Sequence, residues 1–320
     1  MGGTAWKNAD VAVERRWEHS LSAAQSAEIV EQARAAVARG VTAGSVAQED
    51  MPLASLQDSL RAWRDEIADG LGFVLVHGFP VGELDGAETE VAYIGMGQHL
   101  GRRVGQNSAG DLLTHIRDDR TPQTGAIKRL YRTRDRQDFH SDGADVIGLL
   151  CLHAAKSGGE SKIVSSRAVL QEMMRRRPDL VDELRTKLCW DRQDDHLPGQ
   201  QPWFELAPLF DLQGETRIFY VGWYIRNAQR HPQVPRLTER QLQAMELLES
   251  IANDPEFHLE MDFRPGDIQL LNNATILHSR EEYEDFEEPE RRRHLLRLWL
   301  AAHDFVSVEE GLRGGMGKVG

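Results

Sequence analysis

Beyond about residue 124 the chain becomes a series of short apolar runs cut by Gly, Pro, Asp and Asn. Val146-Ile147-Gly148-Leu149-Leu150-Cys151-Leu152 and His294 to Ala301 are apolar enough to be strands covered on both faces. Lys162-Ile163-Val164, Phe257 to Phe263 and Asp267 to Leu271 have the same texture. Phe204 to Phe210 and Thr216 to Val221 read as a hairpin around Gln213-Gly214. Helices are expected in this part at about 167–175, 178–187 and Thr238 to Asn253, the last with Thr238 and Gln241 at capping-box spacing. Ahead of it the chain is helical at Leu21 to Arg39, Ser55 to Ala68 and 87–100, with one buried strand from Phe73 to Val76. Helices first, then many short strands with helical inserts, predict an α+β chain whose β part is a closed or double-sheet jelly roll. One domain over 1–320 is expected: a helical part at about 1–100, a core at about 72–305 and a Gly-rich tail at 311–320.

Formal charge is −13, which argues against nucleic acid and anionic membranes as partners. The longest apolar runs are too short to span a bilayer. Met1 to Trp6 carries no signal-peptide run, and Trp6 stands where a myristoylation site wants Ser or Thr. Two cysteines, Cys151 and Cys189, cannot build a disulfide scaffold. These features point to the cytoplasm, with small molecules as ligands and a homo-oligomer left open.

His140-Ser141-Asp142 is the sharpest local feature. In extended backbone, residues two apart share a face, so one imidazole and one carboxylate can converge on one ion. A second His from a distant strand completes a two-histidine, one-carboxylate set with open positions, an arrangement suited to non-haem Fe(II). The bare pattern is weak: with 12 His and 51 acidic residues, roughly two His-x-acid matches arise by chance. The other match, His258-Leu259-Glu260, lies in a simple alternating strand whose polar residues read as a solvated face, so His258 is taken as structural. Pro265-Gly266-Asp267 opens a strand that bends at Asn272-Asn273 and delivers His278 as the third ligand.

Arg291-Arg292-Arg293-His294-Leu295-Leu296-Arg297-Leu298-Trp299 follows. Arg293, Leu295, Arg297 and Trp299 share one face, and Arg on an otherwise buried face calls for an anion. A dicarboxylate suits the guanidinium fork.

Taken together, Phe139-His140-Ser141-Asp142, Gly158-Gly159-Glu160-Ser161, Pro265-Gly266-Asp267 with Asn273 and His278-Ser279-Arg280, and Arg293 with Arg297 resemble the taurine dioxygenase-like family of Fe(II)/2-oxoglutarate-dependent oxygenases. The resemblance covers about residues 95–305. It implies a double-stranded β-helix (cupin-like jelly roll) core, and iron held by His140, Asp142 and His278. It also implies Arg297 on the distal carboxylate of 2-oxoglutarate, Ser161 beside that carboxylate, and Arg293 near the keto-acid end. The gap from His278 to Arg297 is longer than in the founding members, which puts the role of Arg293 in doubt. Asp142, rather than Gly or Ala, argues against the halogenating relatives.

The reaction so implied consumes dioxygen and 2-oxoglutarate, releases succinate and carbon dioxide, and hydroxylates an unactivated C–H bond of a small metabolite. Desaturation or cyclisation on the same scaffold is an alternative, as is a non-catalytic jelly roll that binds metal and 2-oxoglutarate. Gln106, Asn107, Arg132, His196, Trp203, Trp223, Tyr224 and Arg226 flank the site in relatives. Trp203, Trp223 and Tyr224 are also natural core residues. Arg132 and Arg226 suggest a carboxylate-bearing or amino acid-like substrate, with Arg226 as an anion clamp.

Overall fold

The computed structural model describes residues 3–13, 15–121, 129–196, 198–212 and 214–302. Local chemistry starts the helices. Ser22 and Thr238 accept the backbone N–H of Gln25 and Gln241, whose side chains return the bond, and so open α2 (Ala23–Ala38) and α8 (Glu239–Ala252). Asp85 does the same with Glu88 for α4 (Gly86–Gly97). Leu60, Trp63 and Ile67 form the buried face of α3 (Gln57–Ala68). α5 (Ser166–Arg176) and α6 (Pro178–Leu184) follow, with a proline at the start of α6. The sequence reading missed α1 (Asn8–Val13).

Two sheets face each other. The larger has seven strands in the order β1 (Glu18–Ser20), β2 (Phe73–His77), β14 (Ile268–Asn272), β6 (Val146–His153), β17 (His294–Ala301) and β3 (Arg102–Arg103), with β4 (Leu113–Ile116) also on β17. The smaller has four: β13 (His258–Met261), β8 (Ser161–Ser165), β15 (Ile276–Arg280) and β5 (Gln137–His140). Ile147, Leu149, Cys151, Ile163, Leu259, Met261, Leu271, Leu295 and Trp299 fill the space between them. Leu150, Leu270, Leu296 and Leu298 point the other way, under α2, α3 and α4. On the outer face of the small sheet, Phe139, Val164 and Leu277 pack with α5, α6 and α8. Helices therefore cover both sheets, which is why the strands are apolar on both sides.

Three readings change. Phe204 to Phe210 is two strands, not one. β10 (Trp203–Leu206) pairs with β9 (Leu188–Asp191), and only β11 (Leu209–Leu212) forms the hairpin, with β12 (Glu215–Ile218). Gln213 and the Gly311–Gly320 tail lie outside the described residues. Trp223, Tyr224 and Arg226 sit on a short helix, α7 (Gly222–Ala228), that the sequence reading did not mark. His258 is buried rather than solvated: its ring packs against Phe139, and Nδ1 lies 3.1 Å from the Ala252 carbonyl. Strand alternation was right, and Glu260 on that face is exposed, but the end of α8 at Ala252 caps His258. A last pair, β7 (Ser157–Gly158) with β16 (Tyr283–Glu284), closes the turn region before β8.

Candidate active site

His140 ends β5 and is the direct cross-strand partner of His278 on β15, so sheet register alone brings the two imidazoles together. Their ring centroids are 4.2 Å apart. Asp142 follows β5 after one residue. Its carboxylate oxygens lie 3.9 Å from His140 Nε2 and 3.8 Å from His278 Nε2. One ligand atom from each of the three lies within 4.8 Å of the others, and all three residues are buried. No other such cluster of His, Cys, Asp and Glu occurs among the described residues.

The donor set suits a divalent ion. His140 Nδ1 lies 2.8 Å from the Asp138 carbonyl, which assigns the proton to Nδ1 and leaves the Nε2 lone pair facing the cluster. Gln137 donates its side-chain amide to that lone pair at 3.1 Å. Burial lowers the pKa of both imidazoles, that of His278 to about 3, with His140 next to it adding to the effect. Burial works to raise the Asp142 carboxyl, but the Arg297 guanidinium and then the two imidazoles bring it below its ordinary value. Neutral imidazoles and an ionised carboxylate are the protonation states that metal ligation requires.

Other groups aim Asp142. Arg297 Nη1 donates to both of its oxygens at 3.1 Å, and Trp299 Nε1 donates to Oδ2 at 3.1 Å. Asn273, at the bend between β14 and β15, accepts from the Asp142 N–H at 2.8 Å and donates to its carbonyl. Trp299 appeared in the sequence as a strand residue and Asn273 as a bend residue of the motif before His278, neither with a partner. Their orienting role comes from chain segments more than 130 residues away.

Arg297 and Arg293 occupy opposite ends of the space between the sheets. Arg297 lies at the metal end: Nε donates to Gln106 Oε1 at 2.8 Å, and its Cζ is 4.8 Å from the Trp299 ring. Arg293 is 4 % exposed and donates Nη2 to the Gly159 carbonyl at 3.3 Å. Ser161 is two residues from Gly159 and donates to Gln269 at 3.2 Å. Arg297 is held at Asp142, whereas Arg293, just ahead of β17 and of the register shift at His294/Leu295, is held at Gly159 near Ser161.

A cleft of about 110 Å³ opens over the cluster, lined by Gln106, Asn107, Trp223, Tyr224 and Arg297 among others. Of the expected substrate residues, four lie elsewhere. Arg226 is gripped by Glu249 through two 2.7 Å bonds and cannot serve as an anion clamp. Arg132 pairs with Asp119 in a neighbouring surface pocket. His196 and Trp203 do not line the cleft, and Trp203 packs by Cys189 and Val234. Tyr131 and Gln137 line it and were missed, since neither belongs to a motif.

The family model "Taurine catabolism dioxygenase TauD, TfdA family" matches residues 38–299. The chain is 29% identical to FR-33289 synthase of Streptomyces rubellomurinus (strain ATCC 31215), over 97% of this chain and 91% of that protein. It is 30% identical to the taurine hydroxylase-like protein SAT17 of Stachybotrys chartarum (strain CBS 109288 / IBT 7711), over 92% of this chain and 77% of that one. Among solved structures it resembles asparagine oxygenase in complex with Fe(II), 2S,3S-3-hydroxyasparagine and succinate. That match has a TM-score of 0.67 at 17% identity and covers 89% of this chain and 94% of that one. At that identity the likeness concerns the fold, one of mixed helices and sheets. On the family match and the two relatives, the chain belongs to the taurine catabolism dioxygenase TauD, TfdA family.

Proposed function

We propose that this chain is an Fe(II)- and 2-oxoglutarate-dependent dioxygenase that hydroxylates an unactivated C–H bond of a small, acid-bearing metabolite. The observation that carries the reading is the buried His140–Asp142–His278 cluster under a cleft that also holds the Arg297 guanidinium. The strand order β4-β17-β6-β14 facing β13-β8-β15-β5 supports a double-stranded β-helix core, and we read 1–320 as one oxygenase unit.

His140, Asp142 and His278 would hold the iron. With 2-oxoglutarate bound to it, the iron would supply the oxidising power that inserts oxygen into the C–H bond, with succinate and carbon dioxide as co-products. The chain's own part is positioning. Trp299 and Asn273 keep the Asp142 carboxylate and backbone in place. Arg293 and Ser161, away from the cluster, would take the distal carboxylate of the diacid. Arg297, beside Asp142, would steer the acid group of a substrate or the keto-acid end of the co-substrate. Apolar Trp223, Phe219 and Val221 line the same cleft and would keep bulk water off the reacting carbon.

The test is a metabolite-library screen for substrate-triggered succinate release with iron and 2-oxoglutarate. Carboxylate-, phosphate- and phosphonate-bearing compounds should be enriched among the hits. Desaturated or cyclised products would move the outcome to the alternative chemistries. Tight 2-oxoglutarate binding with no turnover by any compound would leave a non-catalytic binder.

A further inference from the structure

The distal end of the inter-sheet space holds a second guanidinium that the proposed reading leaves without work. Arg280 follows His278 by two residues on β15, shares its face, and stands opposite Ser161 on β8. It is 7 % exposed. Its Nη2 donates to the Leu130 carbonyl at 3.4 Å and to the Asp135 carbonyl. Its Nε and Nη1 have no hydrogen-bond partner among the described residues, and neither does Nη1 of Arg293. Both guanidinium carbons lie 5.1 Å from the centre of the Tyr283 ring, whose hydroxyl is also unpartnered among the described residues.

Two cations are thus desolvated beside one another. Asp285 accepts the Arg293 backbone N–H on Oδ1 at 2.7 Å, and its buried Oδ2 has no hydrogen-bond partner among the described residues. Buried like charges with unpaired donors are costly unless an anion meets them, and a carboxylate has two oxygens to offer to two forks. A separate cavity of about 450 Å³ borders Arg293 but is not lined by Arg280. An anion entering that way would therefore not depend on Arg280.

Arg280 also touches the substrate side. The carbonyls it holds bracket the stretch 130–135, and Leu130 and Tyr131 of that stretch wall the cleft. Tyr131 lies 5.9 Å from the Arg297 guanidinium carbon.

We infer that Arg280 is a positioning residue that completes a two-guanidinium cradle for the distal carboxylate and couples its occupancy to the wall of the substrate cleft. Filling the cradle cancels the Arg280–Arg293 repulsion, firms the 130–135 stretch, and prepares the cleft for substrate. This rests on the proposed reading of the site, and its test separates the two. In the absence of oxygen, 2-oxoglutarate and the unreactive N-oxalylglycine are titrated calorimetrically into Fe(II)-loaded protein, and amide exchange is followed over 130–135. For the native chain, binding should slow exchange there.

Arg280→Gln should weaken both diacids by about tenfold or more, abolish the slowing at 130–135, and leave Fe(II) affinity unchanged. Arg280→Lys should recover part of the affinity but not the slowing, because an ammonium cannot hold two carbonyls and a carboxylate in one plane. If Arg280→Gln fails to fold, Arg280→Lys alone decides, since native affinity and native slowing in it overturn the inference. Equal affinity and equal slowing in Arg280→Gln also overturn it. A native chain that binds iron but neither diacid sinks the functional reading and the inference together. One that binds them with no change at 130–135 sinks the coupling alone.

Discussion

Asn273 shows how much of the candidate metal site lies outside its three proposed ligands. It clamps the Asp142 N–H and carbonyl from across the chain, so the carboxylate projects from a fixed backbone. Asn273→Ala should weaken Fe(II) or Mn(II) binding by about 10- to 100-fold and cost about 1–3 kcal/mol of stability from the unpaired groups it leaves. Metal titration and urea unfolding check this, and unchanged metal affinity would remove Asn273 from the site. His140, Asp142 and His278 were legible because spacing on extended backbone decides which side chains share a face. Arg226 was not, because a basic residue in an apolar stretch reads alike whether it meets a ligand or, as here, Glu249.

At the level of elements, the Gly158-Gly159 turn does more than reverse the chain into β8. Both residues have positive φ, 73° and 78°. A Cβ on Gly159 would meet Arg293 Nε at 3.0 Å and Tyr283 Cβ at 3.2 Å. Gly159→Ala should therefore cost about 1–3 kcal/mol for the left-handed conformation and weaken 2-oxoglutarate binding by displacing Arg293, with metal binding intact. Calorimetry on the refolded variant checks it; native co-substrate affinity would detach Arg293 from the diacid. β17 displays the strength and limit of period-2 reading. It places Leu295, Arg297 and Trp299 inward and Leu296, Leu298 and Leu300 outward as expected. It says nothing of which inward arginine lies at which end of the ligand. α7 escaped notice because seven residues give no helical period to detect.

For the molecule as a whole, metal binding to the folded state alone should raise stability by about 2.7 kcal/mol at a hundredfold excess over Kd. A rise in Tm with Fe(II) or Mn(II), reversed by a chelator and missing in His278→Ala, checks that; an equal rise in His278→Ala would place the ion elsewhere. The outer side of the large sheet contributes a pH dependence. Burial, then His115, Arg117 and His153, hold the His294 imidazole at about 4, below its ordinary 6.5. Between those values the unfolded chain takes up a proton that the folded chain refuses. That contribution is complete above about pH 6.5 and is lost as pH falls toward 4. His294→Asn should therefore narrow the gap between urea midpoints at pH 7.5 and pH 5, and an unchanged gap would refute the assignment. Among the described residues no helix is long and apolar enough to cross a membrane. Short-range rules on the chain were enough to mark the central strands, most of the helices and the three side chains of the His140–Asp142–His278 cluster, because caps, periods and turn residues act within a few positions. That Arg297 lies at Asp142 and Arg293 at Gly159, that Trp299 and Asn273 hold Asp142, and that Arg280 reaches the 130–135 stretch followed only from two sheets closing on each other. Such contacts join residues more than a hundred positions apart, where no local pattern carries information.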